Sequence, residues 1–215
     1  MQEAQLDQAL LWDQRHSLEV GALTEPSEFA RKALPFIREV RGSSVLELGC
    51  GKGGDAVFFS SKGLMVTAVD FSKTALASLR QSIEGTPHAQ KIALVEQRMK
   101  SLDLQSEYFD CVYSHNSLHH LHRDDLVEVL KKAHKSLKTG GIIAFRVKSN
   151  EDPLKDHARR LEGVHEFEGL HWNFLSKDAL EDLLYDFTIL SLEKKVDLRK
   201  GSKAEVAWEV LAQKP

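Results

Sequence analysis

The stretch from residue 45 to residue 70 constrains the fold of this chain more than any other. It consists of a short apolar run, a glycine-rich turn, an amphipathic segment and a second apolar run that ends on Asp70. Gly63 ends the amphipathic segment, so the periodicity predicts a strand, a helix and a second strand. We therefore expect a β-α-β unit with a carboxylate at the tip of its second strand.

The turn of this unit contains glycine at positions 49, 51, 53 and 54. A backbone that passes sharply from strand to helix and approaches a ligand has no room for Cβ atoms. Asp70 follows the turn by about 20 residues, the spacing at which a carboxylate accepts hydrogen bonds from both hydroxyls of a ribose. The unit is therefore typical of a half-site for a cofactor that contains adenosine.

Two classes of adenosine cofactor fit these glycines, because Gly49, Gly51 and Gly54 also satisfy the dinucleotide pattern G-x-G-x-x-G. Glu47 favours a cationic cofactor, since a carboxylate at the mouth of the first strand would repel a pyrophosphate. One attraction to a sulfonium or ammonium group is worth roughly 3 kcal/mol before desolvation, at about 6 Å and an effective dielectric of about 20. The alternatives are an NAD(P)-dependent oxidoreductase, for which no Tyr-x-x-x-Lys pair is present, and a non-catalytic binding module.

Glu47 followed by Gly49, Gly51 and Gly53 resembles the first motif of the class I S-adenosylmethionine-dependent methyltransferases. The likeness extends over nearly the whole chain and is greatest to small bacterial members, including the tellurite-resistance and thiopurine methyltransferase groups. It implies an α/β, doubly wound, Rossmann-like fold with a seven-stranded, mostly parallel sheet, a C-terminal antiparallel hairpin strand and helices on both faces. It also implies S-adenosylmethionine as the cofactor and S-adenosylhomocysteine as its product.

The resemblance places the cofactor against the glycine turn and the tips of the second, third and fourth strands. The expected cofactor contacts are Glu47, Gly49, Cys50, Gly51, Gly53, Asp70, Phe71, Arg98, Met99, Ser114 and His115. Phe71 is expected against the adenine plane, with core packing as the equally favoured alternative. Arg98 departs from the family, which often carries an acid there to meet the adenine amino group.

Four histidines follow the predicted fourth strand, at positions 115, 119, 120 and 122. No cysteine or carboxylate is spaced to complete a tetrahedral set with them, so no metal site is predicted. His115 lies nearest the strand tip and is the candidate catalytic residue, as a base beside the acceptor. Asp124 or Asp125 is predicted to cap the next helix.

Two segments outside the core pattern are predicted to cover the site. Residues 1–40 form an N-terminal helical cap, in which Pro35 is expected to break or kink the helix predicted over residues 26–40. Residues 148–175 interrupt the alternation of strands and helices at the edge where acceptors bind and are predicted to form the substrate lid. The candidate substrate contacts are Trp12, Arg15, His16, Arg146 and His171. The C-terminal hairpin is predicted to turn at residues 199–202.

Length and charge bound the partners of the chain. Its 215 residues are predicted to form a single domain, residues 1–215. Lys and Arg number 29 against 32 Asp and Glu, so no nucleic-acid partner is expected. The two cysteines make no disulfide framework, and no signal or membrane span is apparent. We therefore expect a cytoplasmic monomer or homodimer that transfers a methyl group to a small-molecule acceptor by in-line attack.

Overall fold

The structure, a computed structural model, describes residues 2–18, 25–198 and 204–215, with side chains from residue 8 onward. The helices within these residues are α1 (Gln2–Leu18), α2 (Glu28–Glu39), α3 (Gly54–Ser61), α4 (Lys73–Ile83), α5 (Arg123–Ser136) and α6 (Lys177–Leu183). The strands are β1 (Ser44–Leu48), β2 (Met65–Asp70), β3 (Ile92–Glu96), β4 (Phe109–His115), β5 (Leu137–Lys148), β6 (Arg159–Leu161), β7 (Val164–Phe167), β8 (Leu170–Trp172), β9 (Thr188–Asp197) and β10 (Glu205–Gln213).

Seven strands form the central sheet in the order β3-β2-β1-β4-β5-β10-β9. The first five run parallel, and β10 is antiparallel to both of its neighbours. The fold class predicted from the sequence is confirmed, including the C-terminal antiparallel pair. The predicted turn at residues 199–202 lies outside the described residues.

Apolar side chains alternate between the two faces of the sheet, as a buried parallel sheet requires. Val45 packs with α2, α3 and α4 on one face, while Leu46 packs with α5 and α6 on the other. The helices therefore cover both faces, and the strand ends at one edge are left for a ligand.

Helix α2 shows that Pro35 does not end the helix, which corrects the expectation of a break. Ser27 caps the helix by accepting a hydrogen bond from the Ala30 amide, and the helix continues through Pro35 to Glu39. Burial of its apolar face against the sheet outweighs the loss of one backbone hydrogen bond. Asp124 and Asp125 are also corrected: they lie in the first turn of α5, favourable for acidic residues, while His122 is the N-cap residue.

The predicted lid segment leaves the sheet at the end of β5 and returns to the same point. Ser149 and Leu175 form a bridge at its base, and the Leu175 amide donates to the Lys148 carbonyl at 3.0 Å. Between these points lies a second, antiparallel sheet in the order β6-β7-β8. The Asn173 amide donates to the carbonyl of His119 at 2.6 Å, which holds this small sheet beside the end of β4.

Candidate functional site

A cavity of about 700 Å³ opens at the carboxyl ends of the parallel strands. Its glycine half is lined by His16, residues 49–52, Asp70, Phe71 and residues 97–99. Its histidine half is lined by Gln8, Trp12, His115, Asn116, Ser117, His120, Leu121, His122 and His171. Lys100, Ser101, Asp124 and Asp125 form the rim. The volume lies in the range of small-molecule and cofactor sites.

The turn after β1 forms the floor of the glycine half. Gly49 has φ of +71°, and an ideal Cβ there would lie 1.8 Å from Ser117 Oγ. Met99 Cε would lie 2.8 Å from the same point. Glycine is therefore required at position 49 both by the backbone angle and by the side chains that cross above it.

Asp70 is held at the tip of β2 by two backbone amides. Gly51 N donates to its Oδ2 at 2.8 Å, and Ser72 N donates to its Oδ1 at 2.9 Å. Burial raises the pKa of Asp70, and the two hydrogen bonds partly oppose this rise. The carboxylate lines the cavity with acceptor capacity left for hydroxyl donors.

Glu47 lies beneath the turn and is only 3% exposed. Its Oε2 atom is buried and has no hydrogen-bond partner among the described residues. Burial raises the pKa of Glu47 well above its usual value, and the nearby Asp55 and Asp70 carboxylates raise it further. A buried acid without a partner is costly, so this position favours a cation.

Phe71, Arg98 and Met99 form the outer wall of the glycine half. The Arg98 guanidinium lies over the Phe71 ring, 5.3 Å from Cζ to the ring centroid. Phe71 thus lines the cavity as expected, and Arg98 covers part of its ring.

His115 lies at the end of β4, where the two halves of the cavity meet. Its Nδ1 is 3.9 Å from Asp55 Oδ2. Burial lowers its pKa, against the opposing effect of Asp55. Asp55 is itself fixed by Ser27 N at 2.6 Å, Ser27 Oγ at 2.9 Å and Tyr113 Oη at 2.7 Å. Burial therefore favours the neutral form of His115, which lies beside a carboxylate held by three hydrogen bonds.

His120 lies deeper in the histidine half and is oriented by the small sheet. Its Nδ1 is 2.7 Å from the carbonyl oxygen of His171. A carbonyl only accepts, so Nδ1 carries the proton and Nε2 keeps a lone pair in the neutral ring. Burial lowers the pKa of His120 to about 4. The ring packs edge-on against Trp12 and Trp172, at centroid distances of 4.8 and 4.4 Å.

Helix α1 covers the cavity and bridges its two sides. Asp13 accepts from Ser72 Oγ at 2.6 Å and from Thr74 N at 3.2 Å, beside the glycine half. Gln8 donates to the Gly169 carbonyl at 2.7 Å and accepts from His171 N at 3.3 Å, beside the small sheet. The helix places Trp12 and His16 over the cavity between these two attachments.

Residues 45–141 match the model of a family described as a methyltransferase domain. The chain is 30% identical over 145 residues to the malonyl-[acyl-carrier protein] O-methyltransferase of Enterobacter lignolyticus, a match that covers 67% of this chain and 53% of that protein. The match spans 64% and 42% of the lengths of two further curated relatives, so the chain covers less than two thirds of each of the three.

Two solved structures share the fold. The 1,6-didemethyltoxoflavin-N1-methyltransferase of Burkholderia thailandensis, with 1,6-didemethyltoxoflavin and S-adenosylhomocysteine bound, has a TM-score of 0.66 at 23% identity, over 87% of this chain and 78% of that one. TehB from Haemophilus influenzae has a TM-score of 0.67 at 17% identity, over 86% of this chain and 62% of that one. The chain belongs to the class I S-adenosylmethionine-dependent methyltransferases.

Most of the contacts predicted from sequence line this methyltransferase cavity. They are Gly49, Cys50, Gly51, Asp70, Phe71, Arg98, Met99 and His115 on the cofactor list, and Trp12, His16 and His171 on the substrate list. The structure brings these residues together around one volume, which makes them candidates for ligand contact.

Five predicted contacts do not line the cavity of the methyltransferase. Glu47 lies below its floor, and an added Cβ at Gly53 would meet Leu79, so that glycine serves packing. Ser114 is buried and donates to the Leu48 carbonyl at 2.9 Å. The side chains of Arg146 and Arg15 also lie outside the lining of the cavity.

Arg146 corrects the expectation of a substrate-binding arginine. Its side chain is 4% exposed and is paired with Glu205 at 2.9 Å and with Asp197. Its Nη1 also donates to Asn116 Oδ1 at 2.6 Å. Arg15 is paired outside the cavity with Glu168 at 2.6 Å. The methyltransferase thus uses both arginines in ion pairs between its own elements.

Asp55, Asn116 and Gln8 are site residues that sequence reasoning missed. Asp55 follows the glycine turn within α3, and its position one residue after Gly54 was the available signal. Asn116 and Gln8 carry no sequence signal, because their roles depend on Arg146 and on the small sheet. Across the described ranges, no three metal-binding side chains are grouped as a metal site, and no helix has the length and apolarity to span a membrane.

Proposed function

We propose that this methyltransferase transfers a methyl group from S-adenosylmethionine to a small-molecule acceptor. The buried Oε2 atom of Glu47, which has no hydrogen-bond partner among the described residues, carries the proposal, because a cation near the glycine turn would stabilise the ionised form of this acid. S-adenosylmethionine brings an ammonium and a sulfonium to this part of the site. A dinucleotide would bring two phosphates to the same turn, against three carboxylates at positions 47, 55 and 70.

The residues of the glycine half fit this cofactor. Asp70 would accept from the ribose hydroxyls, as its free acceptor capacity allows. Phe71 and Met99 would border the adenine, while the turn at residues 49–51 would approach the methionyl end. Glu47 would act through the loop amides or a water beneath the turn. When bound, S-adenosylmethionine supplies a methyl group already activated by its sulfonium.

The protein's own contribution is alignment and exclusion of water. Helix α1 and the small sheet cover the histidine half from two sides, and Gln8 joins them. We propose that residues 1–40 act as a cap and residues 148–175 as the acceptor lid of a single domain. An acceptor atom held near 3 Å from the methyl carbon gains most of its rate from this positioning. His115 and His120 both line the cavity and are the two candidate bases for this reaction.

A covered cavity of this size suits a small acceptor better than a macromolecular surface. The Burkholderia thailandensis neighbour is named for a small heterocyclic acceptor, which agrees with this proposal. The Enterobacter lignolyticus relative is named for an acid carried on a protein. Among the described residues, no lysine or arginine lines the histidine half, which argues against that acceptor here.

Calorimetric titration with S-adenosylhomocysteine tests the cofactor assignment. Glu47→Gln keeps the shape of the side chain and removes its charge, so affinity should fall at least tenfold while the melting temperature holds or rises. Affinity of the natural chain should weaken as pH falls, because protonation of Glu47 removes the attraction to the ligand ammonium.

Glu96→Gln is the matched control for this titration. Glu96 pairs in register with Asp70 at the same sheet edge, but its side chain is exposed. Its removal should leave the affinity unchanged. Thermal protection of the protein by NADH and not by S-adenosylhomocysteine would refute the proposed function.

A further inference from the structure

We propose that the histidine half takes an uncharged, flat acceptor that donates an O–H or N–H to His120 and accepts a hydrogen bond from Asn116. This inference rests on the proposed methyl transfer and names the chemical class of its substrate. Arg15 and Arg146, the two arginines expected from the sequence to contact the substrate, do not line the cavity.

The charges around the histidine half are already paired. Arg146 is paired with Glu205 and Asp197, and Arg15 with Glu168. Further ion pairs are Lys148 with Asp152 at 2.9 Å and Lys100 with Asp125 at 2.5 Å. An anionic acceptor would have to displace one of these carboxylates to gain a cationic partner. An uncharged acceptor needs no such exchange.

Three imidazoles of this half are held towards their neutral form. Burial lowers the pKa of His115, His120 and His171 below the usual histidine value. At the rim, Asp124 adds a negative charge beside the ion pair of Lys100 and Asp125. An anion entering this half would therefore lose hydration without gaining a counter-charge.

Asn116 has its amide orientation set by Arg146. The guanidinium only donates, so the Asn116 atom 2.6 Å from Nη1 is the amide oxygen. The backbone N–H of Asn116 donates to the backbone carbonyl of Arg146 at 3.0 Å. This bond holds the residue at a φ of +55°. What the side chain offers a ligand is its NH₂ group, a hydrogen-bond donor. Arg146 is thus a positioning residue for Asn116.

His120 offers the complementary acceptor. Its Nδ1–H is used by the His171 carbonyl, so Nε2 is the ring nitrogen available to a ligand. Trp12 and Leu121 add apolar surface to the lining of the same half, and the Trp12 ring contacts His120. One donor, one acceptor and aromatic surface together favour a flat molecule with both an O–H or N–H and a carbonyl or ring nitrogen.

In the proposed transfer, His120 accepts the proton that the acceptor loses. The acceptor oxygen or nitrogen forms a bond to the methyl carbon, and the carbon–sulfur bond breaks with its electron pair on sulfur. The O–H or N–H proton passes to Nε2 of His120 and then to solvent. No oxidant, reductant or further co-reactant is needed.

Salicylamide and salicylate are matched probes for this half, because they share a skeleton and differ in charge. Binding is measured by calorimetry on protein saturated with S-adenosylhomocysteine, and turnover by S-adenosylhomocysteine release from S-adenosylmethionine. Salicylamide should bind at least tenfold more tightly than salicylate and should be methylated. Asn116→Asp keeps the oxygen that faces Arg146 but replaces the donor, and should lower salicylamide affinity at least tenfold.

Two variants separate the roles of His120. In His120→Asn the amide nitrogen takes the place of Nδ1, so the bond to the His171 carbonyl is kept and Nε2 is lost. Turnover should fall at least tenfold with unchanged S-adenosylhomocysteine affinity. His165→Gln, in the small sheet but outside the cavity, should match the natural chain.

Equal or tighter binding of salicylate, binding of neither probe, or full turnover by His120→Asn overturns the inference. Binding of salicylamide without methylation also contradicts the role given to His120. Failure of the natural chain to bind S-adenosylhomocysteine would instead refute the proposed function, so the two failures are distinguishable.

Discussion

The two halves of the cavity suppress charge in opposite ways. In the glycine half, burial raises the pKa values of Glu47 and Asp70, which disfavours their negative forms until a cation arrives. In the histidine half, burial lowers the pKa values of His115 and His120, which keeps the imidazoles neutral. The first half is therefore prepared for a charged ligand and the second for an uncharged one.

The halves also differ in how the chain builds them. The glycine half comes mostly from one β-α-β unit and the tip of the next strand, so its residues are close in sequence. The histidine half combines α1, the end of β4 and β8, which are more than 150 positions apart at Gln8 and His171. Substitutions in the first half should act on cofactor affinity, and those in the second on acceptor selection and lid stability.

Gly49→Ala should show the largest effect, and this effect should fall on cofactor affinity. The new Cβ would lie 1.8 Å from Ser117 Oγ and would force an alanine to φ of +71°. We expect S-adenosylhomocysteine affinity to fall about 100-fold, or roughly 3 kcal/mol, measured by calorimetry. Displacement of Ser117 and Met99 would narrow the floor that the ligand contacts.

Gly63→Ala is the control for backbone strain alone. Gly63 has φ of +91°, but no atom lies within 4 Å of an added Cβ. The Gly63→Ala variant should lose about 1 kcal/mol of folding stability and keep its affinity for S-adenosylhomocysteine. Equal affinity loss in both variants would show that strain, and not the site at Gly49, controls binding.

The contrast explains which residues were predictable. Gly49 and Asp70 are constrained by ligand-facing geometry within one local unit, so their types and spacing carry the prediction. The sheet order followed for the same reason, since alternating strands and helices permit few topologies. Phe71 and Met99 line the cavity because they directly follow strand ends.

Tertiary pairing decided the residues that were not predictable. Arg146 looks like an anion-binding arginine until β9 and β10 bring Asp197 and Glu205 beside it. Pro35 looks like a helix end until the apolar face of α2 is buried against the sheet. Asn116 became a site residue only through Arg146. Such pairings join distant segments, and one sequence contains no direct record of them.

The histidine half should make stability depend on pH in the acid range. The pKa of His120 is lowered from 6.5 to about 4, so the unfolded chain binds a proton there before the folded chain does. Stability from this group is complete at pH 7 and is lost as pH falls from 6.5 towards 4. The loss between pH 7 and pH 5 is about 2 kcal/mol for this histidine, measured by urea unfolding.

His120→Asn should reduce that pH dependence by the same amount, because it removes the titrating ring and keeps the bond to His171. The contribution of Asp70 to stability changes with pH in the opposite direction. Burial raises the pKa of Asp70, so its contribution to folding stability is present below pH 3.8 and is lost as pH rises. An unchanged slope in His120→Asn would place the acid sensitivity in other groups.

Arg15→Gln should show the smallest effect, because the attachment of α1 does not depend on this arginine. Its ion pair with Glu168 is solvent-exposed, with 38% and 63% of the two side chains accessible. Such pairs contribute about 1 kcal/mol or less and weaken with salt. Asp13 and Gln8 hold α1 through less exposed hydrogen bonds to α4 and to the small sheet. Unfolding at low and high salt should therefore give a small difference between Arg15→Gln and the natural chain that disappears at about 1 M salt. A difference of several kcal/mol would mean that the exposed ion pair, and not the pair of hydrogen-bonded attachments, closes α1 over the histidine half.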